Sequence, residues 1–414
     1  MSSDTPFSLK RIALPAFGPS VFYGIATGAV LPIIALTARD LGASVALAGL
    51  IAALVGLGSL AGNIPAAMLT TRYGEKRALQ GASVLCAVAL LICIFANHVA
   101  WLTVGVVAFG VGGSIFTLAR QAYLIEAVPL TMRARALSTL AGSMRIGVFI
   151  GPFAGAGLIV LMGLSGAYAV AIAAMAASFW LTVTLPELSS GQRGDVPRND
   201  AQPAAPDTLK DAQAKAAARP AKPSMLTIAR SHFGVYATIG MGAMLISALR
   251  ASRQIVIPLW ADHIGLDPAA ASLIYGISAA IDMAVFYPSG KVMDRYGRIW
   301  VAVPSTILMG TAMLALPFAL TAPGLIAAAL VIGLGNGIST GIIMTTAADA
   351  SPVAGRNEFL GLWRMLADVG SSGGPLLLSL LTATASLGVA IAAIGALGWI
   401  AAAVFWKWLP RPAR

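Results

Sequence analysis

The chain has 414 residues, 58% of them hydrophobic and only 10% charged, with a net charge of +11 and a mean hydropathy of +0.84. Soluble domains carry about 25% charged residues, so this composition excludes a water-facing globular protein and makes lipid the solvent. The cysteines, Cys86 and Cys93, have neither a metal-ligand spacing nor a disulfide framework, and no metal or cofactor is expected.

Apolar runs of about 20 residues suffice to cross a bilayer as helices. In chain order they are predicted at 12–38, 43–69, 78–98, 100–124, 134–162 and 165–185. The first begins directly after Lys10 and Arg11, exceeds the length of a signal-peptide core and precedes no A-x-A cleavage site, so it is expected to be retained. Six more are predicted at 230–260, 269–290, 299–319, 323–348, 358–383 and 387–409. Between the sets, residues 193–223 are rich in Ala, Pro, Asp and Lys without an apolar period, which describes a linker. At most "DTLKDAQAKAAAR" forms a surface helix there, capped by Asp207 and stopped by Pro220. The expected organisation is therefore an N-terminal segment 1–11, a six-helix half 12–185, a linker 186–229, a second half 230–409 and a tail 410–414.

Lys and Arg fall on one side. The predicted inner segments hold Lys10, Arg11, Arg72, Lys76, Arg77, Arg133 and Arg135, the basic linker, residues 291–298, Arg356 and the C-terminal Lys407, Arg411 and Arg414. The predicted outer loops hold Arg39 alone. This positive-inside pattern places both termini in the cytoplasm of a cell membrane. The positive charge is thereby assigned to topology and anionic lipid headgroups, with no nucleic-acid partner.

A repeat runs through the chain at an offset of 223 residues. It carries Gly42 to Gly265, Gly74 to Gly297, Glu126 to Asp349, Pro129 to Pro352, Arg133 to Arg356, Gly147 to Gly370, Gly151 to Gly374 and Pro152 to Pro375. An even number of helices per half makes the two halves parallel, related by an axis along the membrane normal. "GKVMDRYGR", residues 290–298, supplies Gly290, Asp294, Arg295, Gly297 and Arg298 at the fixed places of a G-x-x-x-D-R-x-G-R loop. Its first copy keeps Arg72 and Gly74 but has Ala67, Thr71 and Glu75 at the other places.

In these features the chain resembles the major facilitator superfamily across all twelve predicted spans. The resemblance implies an all-α membrane fold of twelve helices in two pseudo-symmetric halves that rock about a midplane site. It implies that the paired loops, with Arg133 and Arg356 in the next inner loops, form gates. Asp294 would then brace the start of helix 5 in the opposite half, with Arg356 as a partner. Thr71 has no charge, so bracing is expected mainly from the second half. "GVFIGPFAG", with Gly147, Gly151, Pro152 and Gly155, is similar to a signature of proton-driven exporters. Its glycines fall on one helix face and permit close packing, for which Ser272, Gly276 and Ala280 on helix 8 offer a complement. Val106 stands where such exporters often carry an Arg, and the first half has no acid inside a span, which disfavours cationic drugs.

Ionisable residues inside a span are costly and need a partner or a task. Arg120 is expected to snorkel to the inner headgroups. Arg364 and Asp368 are spaced to pair on helix 11, and Arg145 and Asp282 lie at comparable depth on helices 5 and 8. Arg250 and Arg253 on helix 7 are left without an embedded acid. They either grip a carboxylate, sulfonate or phosphate in a central cavity or snorkel outward. Asp282 and Asp368 are the proton-coupling candidates. Tyr23 on helix 1 and Asn336 on helix 10 are further cavity candidates.

The expected function is secondary transport of small organic compounds, with proton-coupled efflux of an anionic or neutral amphiphile preferred. An importer of a metabolite anion and a non-transporting receptor or scaffold of the same fold are the alternatives. Enzymatic function is not expected: His98, His232 and His263 are scattered at span ends, and no phosphate-binding loop occurs. The expected partners are a small-molecule substrate, a proton and the bilayer, and a monomer suffices.

Overall fold

A computed structural model describes residues 13–128, 132–185, 225–352 and 355–410. The N-terminal segment, the linker helix and most of the C-terminal tail lie outside the described residues. Among those described, every regular element is helical.

The first six helices are α1 (Ala13–Asp40), α2 (Val45–Tyr73), α3 (Glu75–Ile94), α4 (Val99–Ala127), α5 (Arg133–Met162) and α6 (Ser165–Val183). A seven-residue helix, Met225–Ser231, precedes the second set. That set is α7 (Phe233–His263), α8 (Pro268–Tyr296), α9 (Ile299–Phe318), α10 (Ala322–Ala350), α11 (Arg356–Thr384) and α12 (Leu387–Trp408). Among the described residues, eleven helices are long and apolar enough to cross a membrane. The remaining one, α11, has 29 residues, ample length, but carries Arg364, Asp368, Ser371 and Ser372. Its polarity follows from its position beside the central cavity described below.

Local chemistry sets the helix ends. Ser44 accepts from the Leu47 amide, and its repeat mate Asp267 accepts from the Ala270 amide, capping α2 and α8 alike. Gly74 and Gly297, again mates, have φ of 82° and 95° and let α2 turn into α3 and α8 into α9. α7 contains a π-helical turn at Tyr236–Gly240. α10 is interrupted after Ile338 and resumes at Ile342, with Gly341 left-handed at φ 86°.

The glycine motif of α5 packs differently from expectation. A Cβ on Gly147 would strike the Val21 carbonyl oxygen, and one on Gly151 the Ile25 carbonyl oxygen, both on α1. The mates repeat this contact residue for residue: Gly370 faces the Met244 carbonyl and Gly374 the Ala248 carbonyl, both on α7. The glycines therefore seat α5 on α1 and α11 on α7 within each half. α8 meets α5 through a different face, where Gly276 lies under Pro152 and Phe153.

The halves touch at one end and part at the other. Arg39 Nε donates to Asp262 Oδ2 at 3.3 Å, and Ser379 Oγ donates to the Ala46 carbonyl at 2.7 Å. α2 and α11 are still close where Gly56 meets Ser372, but further along Asn63 and Ala67 line a space shared with Arg364 and Met365. The two helices thus diverge toward the end that carries the basic loops.

Candidate functional site

The site is built around one carboxylate. Asp282, on the buried face of α8, accepts from Arg145 Nη1 of α5 at 3.0 Å and from Arg253 Nη2 of α7 at 3.2 Å. Asn336 Nδ2 of α10 adds a third bond at 2.6 Å. Arg250 Nε, one turn from Arg253, donates to Asn336 Oδ1 at 3.0 Å. Arg145 Nη2 reaches Thr340 Oγ1 at 3.1 Å, in the interrupted segment of α10, and Arg253 Nη1 reaches Ser278 Oγ at 3.4 Å. Arg145 also lies over the Phe286 ring, 4.8 Å from its centroid.

Four helices therefore converge on three guanidiniums and a single acid. Both Asp282 oxygens are occupied by Arg145, Arg253 and Asn336, whereas among the described residues Arg250 is tied only through its Nε. All three arginines, with Asp282 and Asn336, line a chamber of about 460 Å³ between the halves. Gln254 and Ser371 border this chamber and a second of about 260 Å³ that reaches Tyr23 and Thr27. Ser59 and Thr117 border the second chamber and a third of about 520 Å³, which holds Asn63, Gln121, Arg364 and Asp368. These shared walls set the three side by side in a row from the arginine cluster to the splayed ends of α2 and α11.

The sequence-predicted residues fall into place unevenly. Arg145 and Asp282 meet, but Arg253 shares the same carboxylate instead of standing unpaired, and it is buried rather than turned outward. Of the three arginines in the cluster, Arg250 alone has no carboxylate partner among the described residues. Asn336 links Arg250 to Asp282. Tyr23 is buried, stacked on Phe116 with ring centroids 4.5 Å apart, and reaches the cavity at the second chamber. Arg364 and Asp368 stand 4.0 Å apart and line the third chamber. Arg120 does not snorkel: it is buried, with its Nε and Nη1 unbonded and its guanidinium 5.7 Å from the Phe116 ring centroid.

The loop residues also depart from expectation. Asp294 is 79% exposed, with Arg298 4.0 Å away, and among the described residues it makes no bond to α5. Arg298 instead binds Asp349 at 2.8 Å, and Arg356 is exposed. Arg72 and Arg295 lie over the rings of their neighbours Tyr73 and Tyr296. Gly290 has open space around it. The Arg133 side chain lies outside the described residues.

Sequence reasoning missed Gln254, Ser371, Thr340 and Thr27. Two signals were available. Gln254 lies four residues after Arg250 on the same helix face, and Thr27 is the repeat mate of Arg250. It missed Arg39 with Asp262 as well, although these two are themselves mates of opposite charge.

The chain superposes on solved structures that are distant from it in sequence. The chain superposes on a POT family transporter in complex with 5-aminolevulinic acid with TM-score 0.75 at 11% identity, covering 96% of each chain. A D-xylose-proton symporter matches with TM-score 0.72 at 17% identity, covering 97% of this chain and 98% of that one. The partially occluded, inward-open xylose transporter XylE from E. coli matches with TM-score 0.70 at 15% identity, covering 97% and 100%. Identities this low show a shared fold alone. No curated protein sequence matches the chain. The sequence model of the Major Facilitator Superfamily matches residues 19–252 and again 239–414. The chain, with its helices in two like halves around a central cavity, belongs to the Major Facilitator Superfamily and is a multi-pass membrane transporter rather than an enzyme.

Proposed function

We propose that the protein is a proton-coupled exporter of small organic compounds, carrying an anionic or neutral amphiphile across the cytoplasmic membrane. One observation carries the preference for an anion: three arginines and one aspartate face the same chamber, and Arg250 has no carboxylate partner among the described residues. A guanidinium fork facing a low-dielectric cavity favours a carboxylate, sulfonate or phosphate over any cation.

Positive-inside topology puts the basic loops and both termini in the cytoplasm. The cavity then opens inward, and the Arg39–Asp262 and Ser379–Ala46 contacts close the outer side. Rocking the halves about α1, α5, α7 and α8 would close the inner vestibule and open the outer one. In the opposite state Asp294 would reach the start of α5, where free amides favour a carboxylate. Asp368 is the acid best placed to exchange a proton, since it faces the open vestibule with Arg364 held loosely. Asp282 would follow only if an arginine left it.

The export direction is supported by the Gly-Pro stretch of α5. Likeness of fold to a D-xylose-proton symporter favours the second reading, import of a metabolite anion with the proton. One chain supplies every residue of the site.

The test follows loss of two fluorescent probes of similar size, one anionic and one cationic, from cells stripped of their main pumps. Faster loss of the anion, abolished by an uncoupler, is expected when the protein is present. Loss of the cation alone would overturn the charge argument, and accumulation of the anion would turn the direction to import.

A further inference from the structure

Charge balance around the chamber says more than that an anion is preferred. Resting on the reading that this cavity carries an organic anion, we infer that its preferred substrate bears two negative charges on one head. Dicarboxylates and phosphate or phosphonate monoesters share this chemistry.

Arg145, Arg250 and Arg253 bring three positive charges to the chamber wall and Asp282 one negative charge. Asn336 is neutral and only relays Arg250 to Asp282. Two positive charges remain uncompensated beside a chamber whose wall also includes the apolar Met144, Val148, Ala279, Met283 and Ile343. Among the described residues, no acid other than Asp282 lines this chamber. Charge in such surroundings is costly until matched, so a ligand with two negative charges gains more than one with a single charge.

The donors are disposed for this. Among the described residues the Nη groups of Arg250 make no bond, and they can take one anionic oxygen pair as a fork. The second charge would rest against Arg145 and Arg253, which divide one carboxylate between them. The apolar wall receives the rest of the molecule.

A zwitterion is the main competing class, because Asp368 lines the third chamber. That acid already has Arg364 4.0 Å away, so the far end of the cavity carries no excess negative charge to hold an ammonium group.

Benzoate, benzene-1,3-dicarboxylate and 3-(aminomethyl)benzoate present one ring with one negative charge, two, or one of each sign. Purified full-length protein in liposomes would be assayed for counterflow of each, and in detergent for thermal stabilisation by each. The dicarboxylate is expected to bind at least about tenfold more tightly than benzoate at low salt, with the zwitterion weaker still. Arg250→Gln, with an unliganded melting temperature like the parent's, is expected to collapse that ratio toward one. Arg250→Lys, which keeps the charge and loses the fork, should retain the preference at lower affinity. Equal binding of benzoate and the dicarboxylate, or preference for the zwitterion, would overturn the inference while leaving anion transport intact. Movement of none of the three in counterflow, with no thermal stabilisation by any, would contradict both the inference and the reading beneath it.

Discussion

Asp282 shows how one residue can hold a site together without being its ligand. It balances two buried guanidiniums, so removing it leaves Arg145 and Arg253 facing each other without a counter-charge. Breaking a buried pair from one side costs about 3–5 kcal/mol. Asp282→Ala should therefore lower the unfolding midpoint strongly. Arg250→Ala removes one hydrogen bond from a guanidinium to the neutral Asn336, at about 1.5–3 kcal/mol, and leaves no buried carboxylate stranded. Thermal unfolding in detergent compares them, and equal losses would contradict the assignment of Asp282 as the shared counter-ion. At this scale the sequence was half legible. Embedded charges stood out because lipid makes them rare, and the pairing of Arg145 with Asp282 followed from depth. That Arg253 would take the other Asp282 oxygen depends on how α7 rotates against α8, and no spacing along one helix encodes that. Arg120 misled for a similar reason: distance from a span end does not say whether a neighbouring helix covers the side chain.

At the scale of helices, hydropathy and the 223-residue repeat made the twelve spans visible. Apolar length is a physical requirement of the bilayer, and each half must solve the same packing problem. The glycine motif was visible too, but its partner was not. Small residues announce a close approach without naming the helix that approaches, and α1 rather than α8 fills the place. Two glycines of the same helix separate these effects. Gly147 lies against the α1 backbone, whereas a Cβ on Gly142 meets nothing within 4 Å. Gly142→Ala should be neutral or stabilising by up to about 1 kcal/mol through helix propensity. Gly147→Ala should destabilise by about 1–3 kcal/mol through overpacking. If the two variants melted alike, the α1–α5 seam would not be the tight contact described here. The interruption of α10 gave no clear warning, because "NGIST" reads as an ordinary glycine-containing span, yet it brings Thr340 to Arg145.

Over the whole molecule, repetition with opposite charge is the recurring device. Arg39 and Asp262 occupy equivalent positions in the two halves and meet each other across the closed end. Arg145 and Asp368 are equivalent as well, one in the arginine cluster and one in the open vestibule. Residues near a pseudo-twofold axis meet their own mates, so opposite signs attract where identical ones would repel. Arg39→Asp should weaken the closed end and Arg39→Asp with Asp262→Arg should restore it. The pair is partly exposed, so about 0.2–1 kcal/mol, or a few-fold shift in population, is expected. Cross-linking between cysteines introduced at Ala46 and Ser379 reads the closure directly. Failure of the exchanged pair to recover the cross-linking lost in Arg39→Asp would remove the axial contact from the account.

The central claim is that uncompensated arginine charge in the chamber selects the transported compound. It is tested most directly in liposomes under an imposed pH gradient, by comparing flux of a labelled organic anion through the parent protein and through Arg250→Gln. The account predicts gradient-dependent anion flux in the parent and a fall of about tenfold or more in the variant, the range for losing a charged hydrogen bond. Undiminished anion flux through Arg250→Gln, or a parent protein that carries only the matched cation, would contradict it.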